Sequence, residues 1–137
     1  MKRMIIILSS IFAFSLFSGG ETAKAQAIRI SINIGTQPAW GPVGYDFVEY
    51  YYIPEIDCYY DVPRGIFYYM NNGRWISGRY LPPYYSRYDL YRLYKVVING
   101  YGEPWRYHRS HYATYRRYVG IYNQPMIRYS HDRRYET

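Results

Sequence analysis

The chain has 137 residues, 22 of them Tyr and one Cys, and its 17 Lys or Arg outnumber 10 acids for a net charge of +7. That length allows a single domain, and one thiol excludes an intramolecular disulfide and argues against a Cys-based metal site. With 22% aromatic residues and few Leu, tyrosine has to serve as both core and surface aromatic, its ring buried and its hydroxyl answered by water or a partner.

Lys2 and Arg3 precede an apolar run over 4–17, and small-residue sites follow at Ala23-Lys24-Ala25 and Ala25-Gln26-Ala27. This is the layout of a secretory signal peptide, so residues 1–25 are expected to be removed and the mature chain to begin at Gln26 or Ile28. The run is shorter than the roughly 20 residues of a membrane-spanning helix and ends in Ser18-Gly19-Gly20. Because Cys58 lies far from the cleavage region, the lipidated form of such a signal is excluded, and the expected product is exported and soluble or peripherally attached.

Residues 27–34 alternate strictly, with Ile28, Ile30, Ile32 and Ile34 on one side, and predict a first strand. Residues 35–44 hold three Gly and two Pro around Trp40 and predict an irregular segment whose Trp tucks over an open end of a sheet. A second strand is expected over 47–53. A loop at Ile53-Pro54-Glu55 would turn Val48, Tyr50 and Tyr52 toward the core and Glu49 toward solvent.

The central stretch, 50–77, carries the strongest strand pattern. From 56 to 62, Ile56, Cys58, Tyr60 and Val62 share one face and Asp57, Tyr59 and Asp61 the other, as in a strand with one side in the core and one wet. Cys58 is therefore expected to be buried. A three-residue loop at Pro63-Arg64-Gly65 would set Val62 opposite Ile66, Tyr60 opposite Tyr68 and Cys58 opposite Met70. Asn72-Gly73 suits a type I′ turn, which needs positive φ at both central residues, and a two-residue loop there puts Trp75 opposite Met70. A three-residue loop over 71–73 would turn Trp75 outward instead. Parity alone does not decide between them, and the two-residue register is preferred.

Pro82-Pro83 closes this meander. In 89–98, Leu90, Leu93, Tyr94, Val97 and Ile98 share a helical face while Val-Val-Ile equally suits a strand, and the expectation is a helix entering a strand. Pro104 is well placed as the first residue of a helix running to about Val119, with Trp105, His108, Tyr112, Tyr115 and Val119 inward and Gly120 as the stop. The fold class expected is α+β, an antiparallel meander of four to five strands with one or two helices from the C-terminal half packed on it. The domain spans 26–120, and 121–137 reads as a polar, frayed tail.

Charge divides unevenly. Residues 28–83 carry four Arg against five acids, whereas 84–137 carry ten Lys or Arg against four acids, net −1 and net +6.

Catalytic patterns are weak. Glu55, Asp57 and Asp61 suggest a calcium site or a carboxylate pair, but on one strand Asp57 and Asp61 stand about 13 Å apart and read as solvated. His108 and His111, three apart on a helix, lack a third ligand fixed by spacing. No phosphate-binding Gly loop or nucleophile elbow is present. No catalytic residue, cofactor or metal is expected. The Arg-aromatic run 105–118 has a nucleic-acid-like pattern that Arg packed on Tyr explains without a ligand, and export removes that partner. The remaining candidates for contact are Arg106, Arg109, Arg116 and Arg117, which would face anionic envelope polymers, lipid head groups or another envelope protein. A second reading is a glycan-binding domain using exposed Tyr and Trp, and a third, less supported, is a small hydrolase or metal-dependent enzyme.

The segments QPAWGPVGY, VEYYYIPEIDCYYDV, GIFYYMNNGRWI and LPP, in that order across about 37–98, resemble a group of small exported proteins of Gram-negative bacteria whose function is unknown. The resemblance implies a periplasmic or envelope-associated domain and supplies no catalytic residues.

Overall fold

The computed structural model describes residues 32–136. The expected signal peptide and the part of the first expected strand before Ile32 lie outside them. The described end of that strand is not a strand: Ile34–Thr36 is a 3-10 turn. Just before it, the Asn33 side chain donates to the Val48 carbonyl at 2.6 Å and accepts the Val48 amide proton at 2.8 Å. One side-chain amide thus replaces a strand partner for Val48.

Five antiparallel strands form one sheet: β1 Tyr50–Ile53, β2 Cys58–Asp61, β3 Ile66–Asn71, β4 Arg74–Gly78 and β5 Val96–Ile98, in the spatial order β4-β3-β2-β1-β5. One helical segment from the C-terminal half packs on it, which gives the α+β class expected. Aromatic and β-branched residues fill the strands, as a pleated surface packed on both sides requires.

The turns set the register. Between β3 and β4, Asn72 and Gly73 both have positive φ, 48° and 76°, and Met70 pairs with Trp75. The two-residue register holds. Between β2 and β3 the register is one residue away from expectation, because Asp61, not Val62, pairs with Ile66. The Asp61 carboxylate accepts the Arg64 amide proton at 2.9 Å and its carbonyl accepts that of Gly65 at 2.8 Å. This stabilises a four-residue loop over 62–65, with Gly65 at φ 66°. Asp61 is accordingly buried at 3% exposure rather than solvated. Between β1 and β2, Ile53 pairs with Cys58 and the loop is 54–57, so Ile56 and Asp57 belong to a turn and not to a strand. Asp57 has φ 53°.

These shifts redistribute the faces. Tyr50, Tyr52, Tyr59, Tyr68, Trp75 and Ile98 lie together on one side, and Ile53, Cys58, Tyr60, Phe67 and Tyr69 on the other. Neither side is wet. Tyr51, Tyr52, Ile53, Cys58 and Tyr59 are all fully buried, so β1 and β2 run through the middle of a three-layer arrangement. Trp75 is opposite Met70 as expected, but it packs on Tyr59, at 5.5 Å between ring centroids, and Cys58 is on the far side of the sheet. The alternation in 56–62 misleads because tyrosine at the supposed wet positions is itself a core residue.

The Cys58 face is covered by loops. Trp40 lies across Tyr60 and Phe67, with centroids at 4.8 and 6.1 Å, rather than over an open end of the sheet, and Leu81, Tyr85, Tyr88, Leu90 and Leu93 complete the layer. The helix expected to open the stretch 89–98 is replaced by a single turn, in which Asp89 accepts the amide protons of Tyr91, Arg92 and Leu93. The β-branched run then enters β5, where Ile98 pairs with Tyr50 and Val96 with Tyr52.

The segment 121–136 is tied down rather than frayed. Ile127 and Arg128 donate their amide protons to the Gly41 and Ala39 carbonyls, and Val43 donates to Pro125. The Gln124 side chain bonds both backbone groups of Lys95 at 2.9 Å, and Arg134 pairs with Asp46 at 2.8 Å. Backbone hydrogen bonds, one side-chain amide and an ion pair hold it where an apolar pattern is missing. No helix among the described residues is long and apolar enough to cross a membrane.

Candidate functional site

The segment that carries the candidate arginines begins as a 3-10 turn, Pro104–Tyr107, continues as α1, His108–Tyr115, and ends as a second 3-10 turn, Arg116–Tyr118. Pro104 opens it, as expected, since its missing amide proton costs nothing there. Gly120, at φ 78°, follows its end.

Its inner stripe is Trp105, His108, His111, Tyr115 and Tyr118. Trp105 stacks on Tyr68 at 4.0 Å, His108 meets Trp75 edge-on at 5.0 Å, Tyr115 lies 6.1 Å from Tyr52, and Tyr118 stacks on Tyr94 at 4.3 Å. Tyr112 and Val119, expected inward, are 43% and 47% exposed, and His111 is buried in their place. The opening 3-10 turn bears on the difference: at three residues per turn it sets Trp105 directly behind His108, and from His108 the α-helical rhythm carries the stripe on through 111, 115 and 118.

Two polar links fasten this stripe to the sheet. Nε2 of His108 lies 2.7 and 2.8 Å from the two carboxylate oxygens of Asp57, which also accepts the Tyr52 hydroxyl proton at 2.6 Å. The Tyr59 hydroxyl lies 2.8 Å from Nδ1 of His111. Burial, and then the neighbouring His108, hold His111 below the usual imidazole range. That shift favours the neutral ring, hydrogen-bonded through Nδ1 to the Tyr59 hydroxyl. Burial and the Asp57 hydrogen bond raise the Tyr52 phenol well above its ordinary value. The two histidines thus engage different partners and do not converge on one point. Among the described residues no group of three or more His, Cys, Asp or Glu is placed to hold a metal. Glu55 is also committed elsewhere, accepting from the Gly120 amide at 2.8 Å and the Tyr122 hydroxyl at 3.2 Å.

With the inner stripe fixed, Arg106, Arg109, Arg116 and Arg117 are all left exposed. Arg116 lies over the Tyr112 ring and Arg117 over that of Tyr118, with guanidinium carbons 5.5 and 5.2 Å from the centroids. Arg106 pairs with Glu103. Among the described residues Arg109, Arg116 and Arg117 have no ion-pair partner. The segment 104–118 contains no acid, so the charged side chains on its outer surface are all cationic.

Tyrosines stand among these arginines. Tyr107 is 53% and Tyr101 36% exposed, and their rings meet edge-on at 4.9 Å. Two shallow depressions flank Tyr107. One, about 440 Å³, is lined by Gly100, Tyr101, Gly102, Glu103, Arg106 and Tyr107. The other, about 470 Å³, is lined by Arg106, Tyr107, Arg109, Ser110 and Ala113. Neither Glu103 nor Tyr101 stands out in the sequence as a site residue; only Pro104 after Glu103, which turns the loop into the helix, brings them beside Arg106.

Comparison of the chain with models of protein families, with curated proteins and with solved structures found no match.

Proposed function

We propose that this protein is an exported, non-catalytic module of the cell envelope that attaches to an anionic envelope surface through the outer face of the segment 104–118. The observation that carries the reading is the arginine set: four exposed guanidinium groups on one helical segment that contains no carboxylate. Fixed on a helix by five inward aromatic rings, they form a rigid array rather than a flexible tail.

Each arginine held near such a surface contributes about 1 kcal/mol, screened beyond a Debye length of about 8 Å at physiological salt. Acting together the four supply at most about 4 kcal/mol, roughly a thousandfold in an association constant. Arg106 contributes less than the others because Glu103 neutralises it in part. The groups that do converge beneath the array, Asp57, His108 and Tyr52, are hydrogen-bonded to one another, which supports a structural role for them. The signal-like N-terminus and the resemblance to small exported proteins support the compartment.

Envelope fractions from cells producing the full chain test the proposal. Retention should fall steeply between low and high salt, and the variant with Arg106, Arg109, Arg116 and Arg117 all changed to Gln should be released at low salt. Retention indifferent to salt and to the four substitutions would sink it.

A further inference from the structure

The two depressions beside Tyr107 give the cationic face more than charge. They share Arg106 and Tyr107, so they form one track with a tyrosine ring standing between two shallow basins. Each basin combines an apolar ring surface with forked donors. The first sets Tyr101 and Tyr107 beside the paired Glu103 and Arg106, which offers acceptor oxygens and N–H donors side by side. The second sets Tyr107 beside Arg109, whose fork has no ion-pair partner among the described residues and suits a carboxylate. Gly100 and Gly102 keep the wall of the first basin low, since neither carries a side chain.

Resting on the attachment reading above, we infer that this track is a binding site for an acidic polysaccharide, with two adjacent sugar units seated on either side of Tyr107. The apolar face of a pyranose ring packs on an exposed tyrosine face, its hydroxyls are met by the Glu103 and Arg106 pair, and a uronate carboxylate on the neighbouring unit is met by Arg109. A bilayer fits the same charge less well. It meets only what protrudes, and it would leave both basins unfilled and the Glu103 carboxylate facing anionic head groups.

The test measures binding of the full chain to three anionic probes: polygalacturonate, which has sugar rings; polyacrylate, which has none; and vesicles containing phosphatidylglycerol. Polygalacturonate should bind at least tenfold more tightly than polyacrylate at equal charge concentration. Tyr107→Ala should lower that ratio at least tenfold. Since Tyr107 also touches Tyr101 and His111, a second variant guards against a folding defect: Ala113→Gln fills the second basin from an exposed helical position and should lower the ratio similarly. Equal, salt-sensitive binding of polygalacturonate and polyacrylate, unmoved by either variant, would overturn the sugar site while leaving electrostatic attachment standing. Tighter binding to vesicles than to polygalacturonate would overturn it in favour of lipid. Salt-sensitive binding to none of the three would overturn both readings.

Discussion

The carboxylate of Asp57, in the β1 to β2 turn, holds Nε2 of His108 at 2.7 and 2.8 Å and so joins two residues 51 positions apart. It does so from a backbone conformation, φ 53°, that costs an L-residue about 1 to 2 kcal/mol. The side chain's bonds to His108 and Tyr52 offset that cost.

Two substitutions separate the contributions at this position. Asp57→Ala removes the carboxylate, leaves the Tyr52 hydroxyl without its acceptor and keeps the strained φ, so a loss of about 2 to 3 kcal/mol is expected in chemical denaturation. Asp57→Gly also removes the carboxylate but relieves the backbone, and should be about 1 kcal/mol more stable than the Ala variant. An Ala variant at least as stable as the Gly variant would contradict the strained turn.

Trp75 is half-buried, against Tyr59 on the sheet and His108 on the helix. Trp75→Ala should cost about 2 to 3 kcal/mol, below the 3 to 5 typical of a fully buried ring, and the loss should appear equally in thermal and denaturant unfolding. A cost under about 0.5 kcal/mol would mean that the ring does not hold the helix down.

Lys95 is 1% exposed, with its amine 5.8 Å from the centre of the Trp40 ring and 4.0 Å from Sδ of Met126. Burial pushes its pKa down to about 8. Below pH 8 both folded and unfolded chains carry the proton, and the full cost of the buried charge is present. Between pH 8 and about 10 the folded chain loses the proton while the unfolded chain keeps it, so Lys95 by itself adds about 2 kcal/mol of stability over that range. The Cys58 thiol and buried phenols such as Tyr51 and Tyr59, raised by burial, act in the opposite sense from about pH 9 upward, because they keep protons that the unfolded chain gives up. Lys95→Met carries all of those groups but not the amine, so it should be the more stable protein at pH 7, and the stability of the parent relative to it should rise by about 2 kcal/mol between pH 8 and 10. A difference that stays flat or falls over that range would contradict a buried charged amine.

The thiol of Cys58 is fully buried, lies 3.1 Å from the Ile56 carbonyl oxygen, and has its pKa pushed up to about 12 by burial. Reaction with a thiol reagent at pH 8 should therefore be slow in the native protein and become complete on unfolding. Rapid native labelling would show that the loops over this face open readily.

The sequence announces structure best where one residue type has one use. Asn72-Gly73 admits positive φ and fixes its turn, and Pro104 and Gly120 bracket the helical segment. It announces structure worst where tyrosine and aspartate each have two. Tyr52 and Tyr59 alternate like half-wet strand residues but are buried, because Asp57 and His111 answer their hydroxyls from elsewhere in the chain. Asp61 lies in an alternating run but spends its carboxylate on closing a turn, and the register moves by one residue as a result. The arginine face is readable from the helical spacing alone. Its companions Tyr101 and Glu103 are not, since they belong to the loop between β5 and the helix, where no periodic pattern marks them, and it is the turn at Pro104 that brings them beside Arg106.

The order of strands also bears on how the chain assembles. The hairpins joining β1 to β4 pair residues close in sequence, whereas the helical segment brings His108 and His111 to partners 51 and 52 positions earlier. A chain emerging from its N-terminal end completes the meander well before those residues arrive. In that interval the Tyr50, Tyr52, Tyr59 and Tyr68 face is a bare aromatic surface, and β1 is an unpaired edge awaiting β5. The half-made domain is at its stickiest just before it is finished, so its yield should depend on how quickly the last thirty or so residues follow the sheet, and on whether a chaperone covers that face in the meantime.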